Sequence, residues 1–276
     1  MRAGNFISTI NVAAALFSGA CMACAACEGY PAVAEVHAQT SAKTVDRTVP
    51  LVATGSVVLE THNGSLDVHT WDRPEIEIHA RIEAAGVSAD DLRRFDETTV
   101  EVSPMSSGSS SGSDSVRITS KSPDVVWSWF GENPTVHYAI TAPRTARWTI
   151  RGHNFRAEIR DLQAALNVGT HNGSLHAVNL DGPLEVNGHN ERVTVEFLSF
   201  HGADITTHNG SADLALPSTS HFDLRADTRR TRLESDFPLL TRTLGRRQDR
   251  IEGTVNGGGS LLRFSSHNGE LRLRSK

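Results

Sequence analysis

A chain of 276 residues can bury a sizeable core without cross-links. Its formal net charge of -5 excludes a general nucleic-acid binder, which needs a clustered positive surface. The 22 glycines, with abundant Ser, Thr, Asn and Val and no long helical period, predict short strands joined by turns, an all-β chain.

Arg2 precedes an apolar run from Phe6 to Ala20, the order of a secretory signal peptide, and that run is too short to span a membrane. Small-residue cleavage sites at Ala32-Val33-Ala34 and Val36-His37-Ala38 give a signal peptide over 1–38. The mature chain is then expected to have no transmembrane helix and to be exported, whether periplasmic, outer-membrane-associated or extracellular. All three cysteines, Cys21, Cys24 and Cys27, fall in this segment. Their spacing lacks the fourth thiolate of an iron–sulfur site. Cys21 after Phe17-Ser18-Gly19-Ala20, and Cys27 after Ala25-Ala26, are instead candidate lipid-attachment sites, although the usual leucine is missing. Lipidation would end the signal nearer residues 21–27. The mature body holds no cysteine, so it is expected to fold without disulfides in an oxidising compartment.

Residues 39–47 read as a linker, followed by an N-terminal strand region over 48–135. Strands are expected from Thr48 to Ile82 with a turn at Trp71-Asp72-Arg73-Pro74, and again over Thr99–Val102. Ser88, with Asp91 three residues on, is a capping box that predicts one short helix. The Ser/Gly-rich run 106–115 reads as a loop. Trp127, Trp129 and Phe130 form an aromatic cluster that suits either an end cap or a stacking surface for sugar or peptide.

From 136 to 276 the chain repeats itself. His-Asn recurs at His62-Asn63, His153-Asn154, His171-Asn172, His189-Asn190, His208-Asn209 and His267-Asn268, and the central copies are about 18 residues apart. Four residues before the Asn stands an apolar residue, two before it a small one, and three and five after it apolar residues again. This grammar predicts a single-stranded β-solenoid with turns of ~18–20 residues, each unit being strand, corner, strand. Alternation places the corner asparagines, Asn63, Asn154, Asn172, Asn190, Asn209 and Asn268, on the inner face as a structural ladder, with the histidines outside. Gly64, Gly173, Gly210 and Gly269 are expected to supply positive φ at the corner, and Asn154 and Asn190 to take the left-handed region where no Gly follows. A degenerate seventh rung is traced at Thr228-Arg229-Arg230 with Leu233. The span from His208 to His267 allows about two further turns after it. The arginine-rich segment 225–250 reads as a solvated loop or a contact for an anionic glycan or lipid head group.

Tyr138-Ala139-Ile140-Thr141-Ala142-Pro143, the repeated Asn-Gly corners and Gly253-Thr254-Val255-Asn256-Gly257-Gly258-Gly259 together resemble the bacterial putative-adhesin domain family, over nearly the whole mature chain. The resemblance implies an exported or membrane-tethered β-solenoid and brings no catalytic residues. The chain departs from the family pattern in its His before nearly every Asn.

No cofactor is expected, and no enzyme activity. Asp67, Asp161, Asp181, Asp204 and Asp213 are read as occupying different repeat positions, so no carboxylate column forms, and no nucleophile elbow is present. The expected role is a cell-envelope adhesin-like binding or scaffolding module whose surface partner is a glycan, a protein or another envelope component. A second reading is a metal- or ligand-sensing protein using an outward His column. No metal is expected, since a third ligand is missing, but His153, His171, His189 and His208 are the candidates in that case. A third reading is a glycan-active enzyme. Mild acid is expected to loosen the column, each adjacent pair of charges costing ~0.8 kcal/mol in water.

Overall fold

The computed structural model describes residues 40–85, 89–105, 113–123, 134–228, 231–244 and 250–276. The export segment with Cys21 and Cys27, most of the Ser/Gly-rich run, the cluster Trp127, Trp129 and Phe130, and Arg229-Arg230 lie outside the described residues.

Among the described residues the fold is all-β with one short helix. The N-terminal part comprises β1 (Thr40–Glu60), β2 (Asn63–Trp71), β3 (Glu75–Ala85), α1 (Ala89–Glu97), β4 (Thr99–Met105), β5 (Ser113–Lys121) and β6 (Thr135–Pro143). Residues 40–47, expected as a linker, are strand: they pair antiparallel with β3, from Thr40 opposite Ala85 onward. The repeats follow as β7 (Arg147–Arg160), β8 (Leu166–Asp181), β9 (Leu184–Ser199) and β10 (Ala203–Leu216). The chain closes with β11 (Phe222–Thr228), β12 (Thr231–Ser235), β13 (Leu240–Leu244), β14 (Arg250–Val255) and β15 (Ser260–Ser275).

The apolar rows set the packing. The residues four before each Asn (Leu59, Ile150, Val168, Val186, Ile205, Phe264) are at most 1% exposed. Those three and five after it, such as Leu66, Leu175 and Leu271 with Val68, Val195 and Leu273, are equally buried. Each buried Val, Leu or Ile contributes roughly 1.5–3 kcal/mol of transfer free energy, so the rows on the two arms of every rung pull the arms together across one core. A further row, six before the Asn, holds Val57, Trp148, Leu166, Leu184, Ala203 and Leu262, all buried.

All 15 strands belong to one sheet. It is mixed rather than a clear solenoid. Its middle is parallel, with β7, β8, β9, β10 and β15 stacked in register on β1 and β2. Both ends carry antiparallel pairs, β1–β3, β3–β6 and β4–β5 at one end, β11–β14 and β13–β14 at the other. Nor do the rungs follow chain order. The last strand, β15, lies between β10 and the degenerate rung formed by β11 and β12. That rung is in register as its spacing implied, with Thr228 opposite Ser266 and Leu233 opposite Leu271. The span from His208 to His267 therefore holds one rung stacked beyond β15, plus the antiparallel pair β13–β14. At this end Phe197, Phe200, Phe222 and Phe237 form a chain of edge-to-face contacts with centroids 5.2, 5.6 and 5.4 Å apart.

Candidate functional site: the corner ladders and the adjoining groove

Each rung bends at its His-Asn step, and the parallel register brings the six steps into line. The rings of His62, His153, His171, His189, His208 and His267 stack with centroid separations of 4.9, 4.8, 5.0, 4.7 and 5.0 Å. Neighbouring planes differ by at most 9°. All six rings are exposed. The metal candidates His153, His171, His189 and His208 are thus adjacent members of one column. Parallel rings aim their nitrogens in parallel, whereas one zinc needs two nitrogens each ~2.0–2.1 Å away. Two rings must tilt towards each other before they can share an ion. The His153 ring is held below the usual histidine range, first by burial and then by the His62 and His171 rings on either side.

Beside this column runs a ladder of amides. Asn154 Nδ2 donates to Asn63 Oδ1 at 2.9 Å, and the pattern continues through Asn172, Asn190, Asn209 and Asn268 at 3.0, 2.6, 3.1 and 2.9 Å. The expected amide ladder exists, but its inward placement is corrected: these side chains are exposed or half-exposed. Inward positions fall at even offsets before the Asn and at odd offsets after it, so the alternation slips by one residue at the corner. The vertex of a bend is convex, and both of its residues, His and Asn, lie outside.

The inner side of the corner is filled by a pair of positions instead. Where the residue after Asn is Gly173, Gly210 or Gly269, the residue two before is Thr170, Thr207 or Ser266, each buried. Where it is Phe155 or Glu191, the residue two before is Gly152 or Gly188. A Cβ on Gly152 would meet Phe155 Cβ at 2.7 Å, and one on Gly188 would meet Glu191 Cβ at 3.0 Å. One side chain per corner fits. The expected role of glycine changes accordingly. Among the four corner glycines only Gly64 has positive φ, at 141°, and neither Asn154 nor Asn190 is left-handed. Gly173, Gly210 and Gly269 are required because the neighbouring rung's carbonyl lies 2.5, 2.4 and 1.9 Å from where a Cβ would sit. Among the described residues the left-handed non-glycine residues are Asp161, Asn179 and Asn256. The first two belong to a second bend, where Asn179 Nδ2 donates to Asp161 Oδ1 at 2.9 Å.

Glu191 is the charged exception in this inner slot. It is 3% exposed, its Oε2 accepts a hydrogen bond from the Thr170 hydroxyl, and its Oε1 has no partner among the described residues. Burial pushes its carboxyl up to about 7. Nothing in the repeat pattern singled it out except that it breaks the Gly rule.

Past the corner, the outer face of the arms forms an open groove of about 860 Å³ whose lining includes Arg156, Ser174, His176, Asn190, Arg192 and Ser211. Row by row, Ser65, Arg156, Ser174, Arg192, Ser211, Glu270 and Arg232 are register partners on successive rungs. The next outward row runs Asp67, Glu158, His176, Thr194, Asp213 and Arg272. Asp67 and Asp213 therefore share a repeat position, contrary to the expectation, and Asp67 adjoins Glu158. Asp67 pairs with His69 at 3.5 Å, Glu158 with Arg160 at 3.4 Å and Asp213 with Arg274 at 2.6 Å. Among the described residues no three His, Cys, Asp or Glu side chains are grouped to hold a metal. Within 225–250, Arg232 pairs with Glu234 at 3.3 Å and Arg250 with Asp227 at 2.7 Å.

What fold and site define together is an all-β chain with an exposed polar edge. No family model matches the sequence, and no curated protein does. Among solved structures the chain is similar to a putative cell adhesion protein from Clostridium sporogenes ATCC 15579, at 10% identity and a TM-score of 0.43, over 85% of this chain and 100% of that one. It is also similar to a putative adhesin from Bacteroides fragilis NCTC 9343, at 9% identity and a TM-score of 0.37, over 85% and 97% of the two chains. A putative adhesin from Parabacteroides distasonis ATCC 8503 aligns at 9% identity and a TM-score of 0.27, over 84% and 97%.

Proposed function

We propose that the protein is an exported cell-envelope module of β-solenoid character that binds or scaffolds a surface partner and performs no catalysis. The observation that carries this reading is the polar edge itself. Six His and six Asn side chains stand in register along one exposed line, with an open groove beside them. A core of this size needs no exposed histidine, so fold stability accounts for the asparagines and leaves the histidines to the surface. An extended, regular, solvated surface suits a partner that is itself extended. The signal-like order of residues at the N-terminus supports export of such a module. Among the described residues no helix is long and apolar enough to cross a membrane.

The test is cell fractionation of the full chain carrying a C-terminal tag, followed by incubation of the exported protein with isolated envelope material. Recovery outside the cytoplasm together with saturable retention on envelope material is expected. Cytoplasmic retention, or export with no retention, overturns the reading.

The stacked imidazoles favour a second reading, a metal- or ligand-sensing edge, because six ring nitrogens are presented at one spacing. Saturable zinc or copper uptake that is lost on replacing His171 and His189 with Gln would support it.

A further inference from the structure

We propose that the groove on the outer face of the post-corner arms binds an acidic polysaccharide, centred on Ser174 and held by Arg156 and Arg192. This deepens the binding-module reading and rests on it.

Arg156 and Arg192 are two rungs apart, with Ser174 between them and Ser211 on the far side of Arg192. Two strand spacings separate the guanidinium stems by roughly 9–10 Å. The short serines leave notches between the arginine ridges, and these form the groove floor. Among the described residues neither arginine makes an ion pair or side-chain hydrogen bond. On the same wall Arg160, Arg272 and Arg274 are all paired with carboxylates, at 3.4, 2.9 and 2.6 Å. The protein thus neutralises its other arginines here and leaves these two forks open, each shaped for two parallel bonds to a carboxylate or sulfate.

Two carboxylates, Glu158 and Glu270, also line the groove, each paired with an arginine, Arg160 and Arg272, at 3.4 Å, and the other polar groups suit sugar hydroxyls. Ser174 and Thr194 supply hydroxyls, and His176 supplies a ring nitrogen. Asn190 spends one N–H on Asn172 and keeps the second for a ligand. The carboxyl of Glu191 lies close to Gly173 with Oε1 unpartnered among the described residues, and burial pushes it up to about 7, which reduces the negative charge it presents to an anion near neutrality. Two forks roughly 9–10 Å apart suit a polyuronate lying across the strands, with alternate acid groups of the polymer meeting the two guanidiniums. A neutral glycan would leave both guanidiniums without a counter-charge, and a single lipid headgroup would not span the two forks.

Affinity electrophoresis of the full exported chain through gels containing alginate, with dextran gels as the neutral control, tests this. Retardation by alginate alone is expected, weakening as salt rises. Arg156→Ser with Arg192→Ser is expected to lower alginate affinity by about tenfold or more. Arg274→Ser, on the same wall but outside the groove, is expected to leave it unchanged. Thermal melting confirms that each variant is folded. Equal alginate retardation of the double variant, no retardation of the wild type, or arginine-dependent binding to phosphatidylglycerol vesicles without alginate binding overturns the proposal. Retention on envelope material in any of those cases leaves the binding-module reading standing.

Discussion

At the scale of single residues, two groups at the corners pull pH dependence in opposite directions. Burial holds Glu191 at about 7 against an ordinary 4.5, so over that interval the folded chain keeps a proton that the unfolded chain has lost. Stability from this group is present in acid and falls as pH rises through the interval, by up to about 3 kcal/mol. His153 is lowered from its ordinary 6.5, so below that value the folded chain binds less proton than the unfolded one, and stability rises with pH. The His153 ring is exposed, which makes its contribution the smaller. The wild type is therefore expected to melt at a higher temperature at pH 5 than at pH 7.5, reversing the acid loosening that the His column alone implies. In Glu191→Gln the sign should flip to a small gain towards pH 7.5. Circular-dichroism melting at the two pH values checks both, and a wild type that melts lower at pH 5 contradicts the dominance of Glu191.

Within one element, the corner is an exchange of volume. Thr207 and Gly210 share one slot, and a Cβ at position 210 would lie 2.4 Å from the Glu191 carbonyl and 2.5 Å from Thr207 Oγ1. Gly210→Ala is expected to cost about 1–3 kcal/mol through forced backbone displacement. Gly169, on the outer side of the β8 strand, has its nearest neighbours 3.9 Å from such a Cβ, so Gly169→Ala is expected to change stability by no more than ~0.5 kcal/mol. Urea titration of the two variants separates these outcomes. The Thr/Gly against Gly/Phe or Gly/Glu exchange is present in the sequence at positions 170 and 173, 152 and 155, and 188 and 191. Its meaning is not, because a glycine after Asn serves positive φ and close approach equally well until the neighbouring rung is in place.

The whole molecule departs most from a simple stack at its C-terminal end, where β15 is inserted between β10 and the β11–β12 rung. A chain-order stack would lose only its terminal rung when cut after Gly259. Here the same cut removes the shared partner of β10, β11 and β12, bares the β10 edge and takes the buried side chains of Phe264 and Leu271 out of the core. Unpaired parallel edges of this length aggregate or open. Truncation after Gly259 is therefore expected to give a chain that limited proteolysis degrades well into β10. A truncated chain as resistant as the full one would show that the insertion is not what holds this end.

The sequence determined the local structure by itself: the buried rows and the corner at each His-Asn step follow from period and residue type, and the short helix from its capping box, because strand alternation and helix capping are local properties. Only the tertiary structure decided what depends on which rung lies next to which. It turned the asparagines outward at a convex vertex and assigned Gly173, Gly210 and Gly269 to close carbonyl approach. It also enclosed Glu191, interleaved β15, and set Arg156 and Arg192 across Ser174 with no carboxylate between them. Those features are relations between residues 18 to 60 positions apart, which register and packing fix and spacing alone leaves open.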